Sequence, residues 1–263
     1  MVVDSPLDEA RATVRTELEA TDGKLDAFET FIRRVREIRP QHPSASTVGP
    51  TTAGGSTRLS METPGANRCR TVRTAFDETV RAHSVADIDT AEPLLETIRE
   101  EFTDAIAVAL APTTDASFTP DLKRAVIEEA QSRRAEAEAF RTALAREHEQ
   151  LDEAAAVVDE TIAWIEDVNG TPLTDLGFDS LRDRHETLAA YRDQCATVAR
   201  ARQAFLQETT ANGMDAGVRH RRLVSYLYPE LPVDYPVLAG IATLDETCRE
   251  CQRAVREHLS RRG

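Results

Sequence analysis

Lysine is nearly absent from this 263-residue sequence, and the shortage is a first guide to the protein's setting. Only Lys24 and Lys123 occur, and the 46 Asp and Glu outnumber the 32 Lys and Arg to give a net charge of −14. A chain so acidic repels itself in dilute buffer, but molar salt shortens the Debye length to about 3 Å and screens most of that repulsion. We therefore expect a protein of a very salty cytoplasm.

Aromatic residues are also scarce, at 5%, and long apolar runs are missing. A composition dominated by Ala, Thr, Arg and acidic residues favours helices over a β-sandwich or barrel. The longest apolar stretch, Ala105 to Ala111, is far shorter than the roughly 20 residues that a membrane span needs. The N-terminal residues lack the basic and apolar regions of a signal peptide. We expect an all-α protein with no membrane association, located in the cytoplasm.

The first 39 residues have the pattern of an amphipathic helix. Ser5 is a candidate N-cap, Pro6 suits the first helical position, and apolar residues recur every three or four positions from Leu7 to Ile38. Residues 40–66 then hold four prolines and four glycines with few apolar residues, which is typical of a disordered linker. The chain is thus predicted to divide into an N-terminal helix (1–39), a linker (40–66) and a helical bundle (67–263).

Within the bundle, the longest helix is predicted between Thr119-Pro120 and Asn169-Gly170. Its 49 or so residues span about 73 Å, and the apolar residues of its second half repeat as in a coiled coil. The next helix is the predicted partner in an antiparallel hairpin. The predicted helices lie at about 67–83, 90–111, 119–168, 180–211, 218–228 and 234–260. The predicted fold class is all-α, an elongated antiparallel helical bundle or coiled-coil hairpin with a long central helix.

Common catalytic signatures are missing from the sequence. No glycine-rich loop precedes either lysine, and no Glu-x-x-His pair is available for a di-iron site in a helical bundle. The HExxH zinc motif and the Gly-x-Ser-x-Gly elbow are absent as well. We therefore predict a non-enzymatic protein with no catalytic residue and no cofactor.

Four cysteines are the main candidates for metal chemistry. Cys248 and Cys251 are spaced to lie on one face of the last helix, and Cys69 and Cys195 could complete four zinc ligands. However, Leu244, Cys248, Cys251 and Val255 also continue one apolar stripe, and free cysteine behaves as a small buried apolar residue. We favour reduced thiols packed in the core, with a zinc or redox role as an alternative.

Arg219, His220, Arg221 and Arg222 form the one concentrated basic stretch, with Tyr226 and Tyr228 a turn further on. Such a patch could contact phosphates or bases. High salt removes most of the counterion-release free energy behind such contacts, and the rest of the chain is anionic. We therefore favour a solvated or intramolecularly paired face, and nucleic-acid binding through this region stays an alternative.

Residues Asp175 to Leu181 resemble the phosphopantetheine attachment motif of acyl carrier proteins. The likeness ends there, because Arg182-Asp-Arg-His185 follow where that family has apolar residues. We interpret Asp179 and Ser180 instead as N-caps of the following helix.

The chain as a whole resembles uncharacterised, predominantly haloarchaeal helical proteins that carry a domain of unknown function. The resemblance rests on the excess of arginine over lysine, on the first helix before a Pro/Gly/Thr-rich segment, and on Leu176-Gly-Phe-Asp-Ser-Leu-Arg-Asp-Arg-His185 leading to Arg202-Gln203. It implies a high-salt setting but no activity, ligand or catalytic residue.

These observations favour an interaction or scaffold protein that binds a protein partner or itself through helices. The N-terminal helix is the expected docking element, because it has its own heptad pattern and a tether of about 27 residues. Two alternatives stay open: a nucleic-acid-associated regulator using the basic C-terminal region, and a cysteine-based zinc or redox protein.

Overall fold

The computed structural model describes residues 5–41, 64–84, 93–114, 116–211 and 217–261, and these are almost entirely helical. The α-helices are α1 (Pro6–Glu37), α2 (Pro64–Asp77), α3 (Leu94–Glu101), α4 (Asp104–Leu110), α5 (Pro120–Asn169), α6 (Phe178–Gln207), α7 (His220–Leu227) and α8 (Pro236–Ser260). Single 3₁₀ turns lie at Arg81–His83 and Leu173–Asp175. This confirms the predicted all-α helical bundle with a long central helix.

The two longest helices begin at side-chain caps that the sequence predicts. Ser5 Oγ accepts the Asp8 backbone N–H at 3.2 Å and donates to the Asp8 carboxylate at 2.9 Å. Thr119 Oγ1 accepts the Leu122 N–H at 3.2 Å. In each case a proline follows the cap, where its missing N–H removes no helical hydrogen bond. These caps fix where α1 and α5 begin.

The chain forms two compact units, one of residues 1–19 with 139–263 and one of residues 20–138. Helices α1 and α5 each contribute to both units. The apolar face of α1 is buried along its length, with Leu7 and Val14 in the first core and Phe28 and Val35 in the second. The predicted linker falls largely on residues 42–63, which lie outside the described residues, and α2 already begins at Pro64.

The first unit is built from the second half of α5 with α6, α7, α8 and the start of α1. Trp164 of α5 meets Tyr191 of α6 with ring centroids 5.5 Å apart, and Glu147 meets Arg202, so α5 and α6 run antiparallel. The closest helix packing in the described chain is nevertheless between α6 and α8. In the first unit, α6 therefore packs against both α5 and α8.

The second unit has an aromatic core. Phe31, Phe76 and Phe102 come from three different helical segments, and their ring centroids lie 5.4 to 5.8 Å from one another. Edge-to-face and tilted contacts of this kind add to the free energy gained by burying each ring. This cluster holds α1, α2 and the α3–α4 segment together.

The single helix predicted at about 90–111 is wrong, because the structure has two helices there. Phe102 leaves the helical region with φ −120° and ψ −130°, and Thr103 caps α4 by accepting the Ile106 N–H at 3.3 Å. Arg133 Nε of α5 donates to the Glu101 carbonyl at 2.6 Å. The tertiary hydrogen bond thus satisfies a carbonyl that a continuous helix would have satisfied locally.

Two further boundaries differ from the prediction. Helix α6 begins at Phe178 with Gly177 as its N-cap and no side-chain cap, so Asp179 and Ser180 are helical residues and not caps. At its other end, β1 (Thr209–Ala211) pairs antiparallel with β2 (Gly217–Arg219), with Thr209 opposite Arg219. The β-branched threonines favour this extended backbone, and it replaces the helix ends predicted near residues 211 and 218.

No described helix combines the length and low charge that crossing a membrane requires.

Candidate functional site

Two charged residues occupy core positions in the helices of the first unit. Glu147 lies between Leu144 and Leu151 in the apolar seam of α5, and Arg202 lies between Val198 and Phe205 in that of α6. Spacings of three and four residues point such side chains at the neighbouring helix. A buried charge is costly unless it is paired and hydrogen-bonded.

Glu147 and Arg202 satisfy this condition by pairing with each other. Glu147 Oε2 accepts from Arg202 Nη1 and Glu147 Oε1 from Arg202 Nη2, both at 2.7 Å, while the side chains are 0% and 1% exposed. Tyr228, just beyond α7, donates its hydroxyl to Glu147 Oε1 at 2.8 Å. Arg202 Nε has no hydrogen-bond partner among the described residues. The carboxylate thereby ties α5, α6 and the end of α7 together.

His220 forms a second layer of the same cluster at the start of α7. Its buried ring lies 4.1 Å from the Phe205 ring, centroid to centroid. Arg146 lies 3.2 Å from His220 Nε2 through Nη1 and donates to Glu208 Oε2 at 2.7 Å through Nη2. Because a guanidinium only donates, Nε2 accepts, and the imidazole is the neutral tautomer with its proton on Nδ1.

The titration of the cluster follows from its burial. Burial lowers the pKa of His220 and the charge of Arg146 lowers it further, against the opposing effect of Glu147 and Glu208. Burial, together with the charge and hydrogen bond of Glu147, raises the pKa of Tyr228 far above its ordinary value. The imidazole is therefore neutral and the phenol protonated near neutral pH. Arg202 and Tyr228 both donate to Glu147, which suits holding helices in register.

The predicted basic stretch is divided between the core and the surface. Arg219 is exposed at the end of β2 with extended backbone, His220 is buried, and Arg221 and Arg222 are exposed on α7. The division follows helical periodicity, because His220 shares the inward face of α7 with Leu223, Val224 and Leu227, which follow it by three, four and seven residues. Arg221 and Arg222 share the outward face with Tyr226, which is 59% exposed.

The four cysteines lie in two places. Cys69 is buried in the second unit, where its Sγ donates to the Ala116 carbonyl at 3.5 Å, whereas Cys195, Cys248 and Cys251 belong to α6 and α8. Burial raises the pKa of all four thiols, that of Cys248 to about 11. Zinc ligation and redox exchange both need the thiolate. Among the described residues, no group of three or more His, Cys, Asp or Glu side chains is placed to hold a metal ion.

Sequence reasoning missed the charged cluster although one signal for it was present. Both Glu147 and Arg202 continue a three-and-four spacing of apolar residues, so each charge stands where an apolar side chain is expected. Tyr228, Arg146 and Glu208 carry no comparable signal, because only the tertiary arrangement brings them to the pair.

Comparison with known proteins gives a family but no described relative. No curated protein and no solved structure matches the chain. Residues 5–252 match a family model described as a domain of unknown function, DUF7260. That range takes in helices α1 to α7 and most of α8, including the whole buried cluster. The chain therefore belongs to the DUF7260 family of domains of unknown function.

Proposed function

We propose that the protein is a non-enzymatic helical interaction protein that docks a protein partner through the outward face of α7. The observation that carries the proposal is Tyr226, a large aromatic side chain 59% exposed, flanked by exposed Arg221 and Arg222. Neither guanidinium is paired within the described residues. Tyrosine and arginine are the residue types enriched at the energetic centres of protein interfaces.

The rigid inward face of α7 supports this choice. His220 at its start contacts Arg146, and Tyr228 at its end is held by Glu147. The Tyr226 ring also packs edge-on against Phe140, with centroids 6.0 Å apart. A surface whose backbone and aromatic anchor are already fixed loses little conformational entropy on binding. The buried cluster then supports the docking face and is not a reaction centre.

The first helix is a weaker candidate than expected, because its apolar residues are covered within the chain. Two unpaired arginines beside a tyrosine favour a partner with an apolar pocket and an acidic rim. We also infer a haloarchaeal, high-salt cytoplasmic setting, which the acidic, lysine-poor composition supports. At molar salt the charges are strongly screened, and burial of the Tyr226 ring has to supply most of the affinity.

The test is photo-crosslinking from position 226 in cells kept in molar salt. We expect one partner to crosslink there and to be captured by the wild type. Capture should fail with Tyr226→Ala and with Arg221→Glu/Arg222→Glu. Phe178→Ala is the matched control, because Phe178 is also an exposed aromatic residue, at 52%, away from α7. A partner retained by the α7 variants and lost with Phe178→Ala would overturn the proposal.

Self-association is the outcome in which the partner is a second copy. Size-exclusion chromatography with light scattering at molar salt would then give a dimer in the wild type and a monomer in Tyr226→Ala.

A nucleic-acid role has one specific observation in its favour, since Arg219, Arg221 and Arg222 are all exposed. Titration of the full chain with duplex DNA at molar salt separates the two functions. Binding that weakens uniformly on loss of each arginine would favour the nucleic-acid regulator, whereas an interaction protein leaves the DNA unbound.

A further inference from the structure

A cleft in the second unit has a charge opposite to that of the chain. It lies between α1 and α5, has a volume of about 340 Å³, and is lined by Glu29, Ile32, Arg33, Arg36, Gln131 and Arg134. Three arginines thus face one glutamate, although the net charge of the chain is −14. The concentration of positive charge in one concave place needs a physical reason.

Pairing with carboxylates does not supply that reason. Elsewhere in this unit Arg34 pairs with Glu78 at 2.6 Å and Arg81 with Asp77 at 2.7 Å. Within the described residues, Arg33 and Arg36 have no such partner. Arg134 Nη2 is 3.9 Å from Glu29 Oε2, beyond hydrogen-bonding distance. Arg33 and Arg36 are consequently available to an external anion, and Arg134 is held only by this long ion pair with Glu29.

The negative end of the α1 dipole does not explain the arginines either. Cations at a helix C-terminus commonly satisfy its last carbonyls. Here Lys123 does so, because its Nζ donates to the Arg36 carbonyl at 2.5 Å and to the Ile38 carbonyl at 2.7 Å. The arginine side chains can therefore serve another purpose.

We propose that this cleft binds a small phosphorylated polyanion, with Arg33 and Arg36 on α1 contacting one phosphate group and Arg134 on α5 contacting another. A guanidinium matches phosphate with two parallel hydrogen bonds. The volume lies at the low end of small-ligand sites, and buried Ile32 provides an apolar floor that strengthens nearby electrostatic contacts. In molar salt a monovalent anion competes poorly with chloride, so the ligand carries several charges.

Calorimetric titration of the full chain with inorganic pyrophosphate tests the site. It is run at the lowest KCl concentration that preserves the helical circular-dichroism signal, and again in molar KCl. We expect saturable binding that weakens about tenfold in each of Arg33→Gln, Arg36→Gln and Arg134→Gln, since each removes a charge-assisted hydrogen bond. Glu29→Gln should tighten binding several-fold, because it removes the one negative charge of the lining.

Arg256→Gln is the matched control, since Arg256 is an exposed arginine of α8 in the other unit and its loss changes the net charge equally. Equal weakening by Arg256→Gln, or no saturable heat from pyrophosphate at either salt, would overturn the proposal. A single-stranded oligonucleotide that binds the cleft more tightly than pyrophosphate would also overturn it and assign the arginines to nucleic acid. Because the docking variants of α7 lie in the first unit, failure here leaves the proposed function untouched.

Discussion

Both carboxylate oxygens of Glu147 lie 2.7 Å from separate guanidinium nitrogens of Arg202, and neither side chain is exposed by more than 1%. The pair replaces two apolar residues at the seam between α5 and α6. A buried ion pair contributes little net stability, because desolvation offsets the Coulomb attraction, but it penalises any register that separates the charges. The largest free-energy cost arises when one of the two charges stays buried without its partner.

Loss of one partner should therefore destabilise the protein far more than loss of both. We expect Glu147→Leu or Arg202→Met to lower the free energy of unfolding by about 3 to 5 kcal/mol. The double variant Glu147→Leu/Arg202→Met should lose much less than the sum of the two single changes. Urea unfolding in molar KCl, followed by circular dichroism, measures all three.

A surface ion pair in the same unit provides the comparison. Arg11 and Asp152 are 2.8 Å apart, but both side chains are about a third or more exposed, so Arg11→Met should cost less than about 1 kcal/mol. Additive losses in the Glu147/Arg202 double variant would contradict the expected coupling.

The Tyr228 hydroxyl is the third donor to Glu147. Removing it in Tyr228→Phe should lower the free energy of unfolding by about 1.5 to 3 kcal/mol, the range for a hydrogen bond to a charged group. The loss should shrink in a Glu147→Gln background, because the acceptor is then uncharged. The Tyr191 hydroxyl has no hydrogen bond to any described residue, and Tyr191→Phe should change stability by less than about 0.5 kcal/mol. Equal effects of the two substitutions would show that the Glu147 contact is immaterial.

His220 should make stability depend on pH near neutrality. Its pKa is lowered in the folded state by burial and by Arg146, although Glu147 and Glu208 oppose the shift. As the pH falls through the ordinary histidine pKa of about 6.5, the imidazole binds a proton in the unfolded chain but not in the folded chain. The free energy of unfolding should therefore fall with decreasing pH until the folded state is protonated as well.

The measurement is urea unfolding between about pH 5.5 and 7.5, above the range in which most carboxylates titrate. His220→Gln keeps an acceptor for Arg146 without a titrating group and should lose this part of the slope. His148→Gln should leave the His220 part of the slope unchanged. An unchanged slope in His220→Gln would rule out His220 as its source.

Periodicity was a good guide to helices and a poor guide to where short elements begin. The 50-residue α5 can be predicted from local signals alone. These are Thr119-Pro120 at its start, a regular apolar seam, and Asn169-Gly170 at its end. At the break at Phe102 between α3 and α4, Thr103 is a local cap signal, but the Arg133 hydrogen bond to the Glu101 carbonyl is a tertiary contact. Sequence alone carries no record of it.

Part of the buried cluster could have been predicted from the sequence. Glu147 and Arg202 stand as charges at apolar positions of the α5 and α6 seams, and a hairpin folded near residue 174 brings them opposite each other. The burial of His220 could be predicted in the same way, because His220 precedes the apolar residues Leu223, Val224 and Leu227 by three, four and seven positions. The basic neighbours of His220 led to its being grouped with them instead.

Gly23, in the middle of α1, should fail to show the usual gain from a glycine-to-alanine change. Such a substitution in a helix normally stabilises by about 0.5 to 1 kcal/mol, but a Cβ at Gly23 would lie 2.8 Å from His83 Cε1. The imidazole would have to move, so Gly23→Ala should be neutral or destabilising in the wild type and gain the full amount in a His83→Ala background. Gly240→Ala in α8 is the control, because its Cβ would meet Leu7 Cδ2 at an ordinary 4.0 Å. Urea unfolding of the double-mutant cycle gives the coupling, and a full gain from Gly23→Ala alone would mean that His83 does not pack against α1.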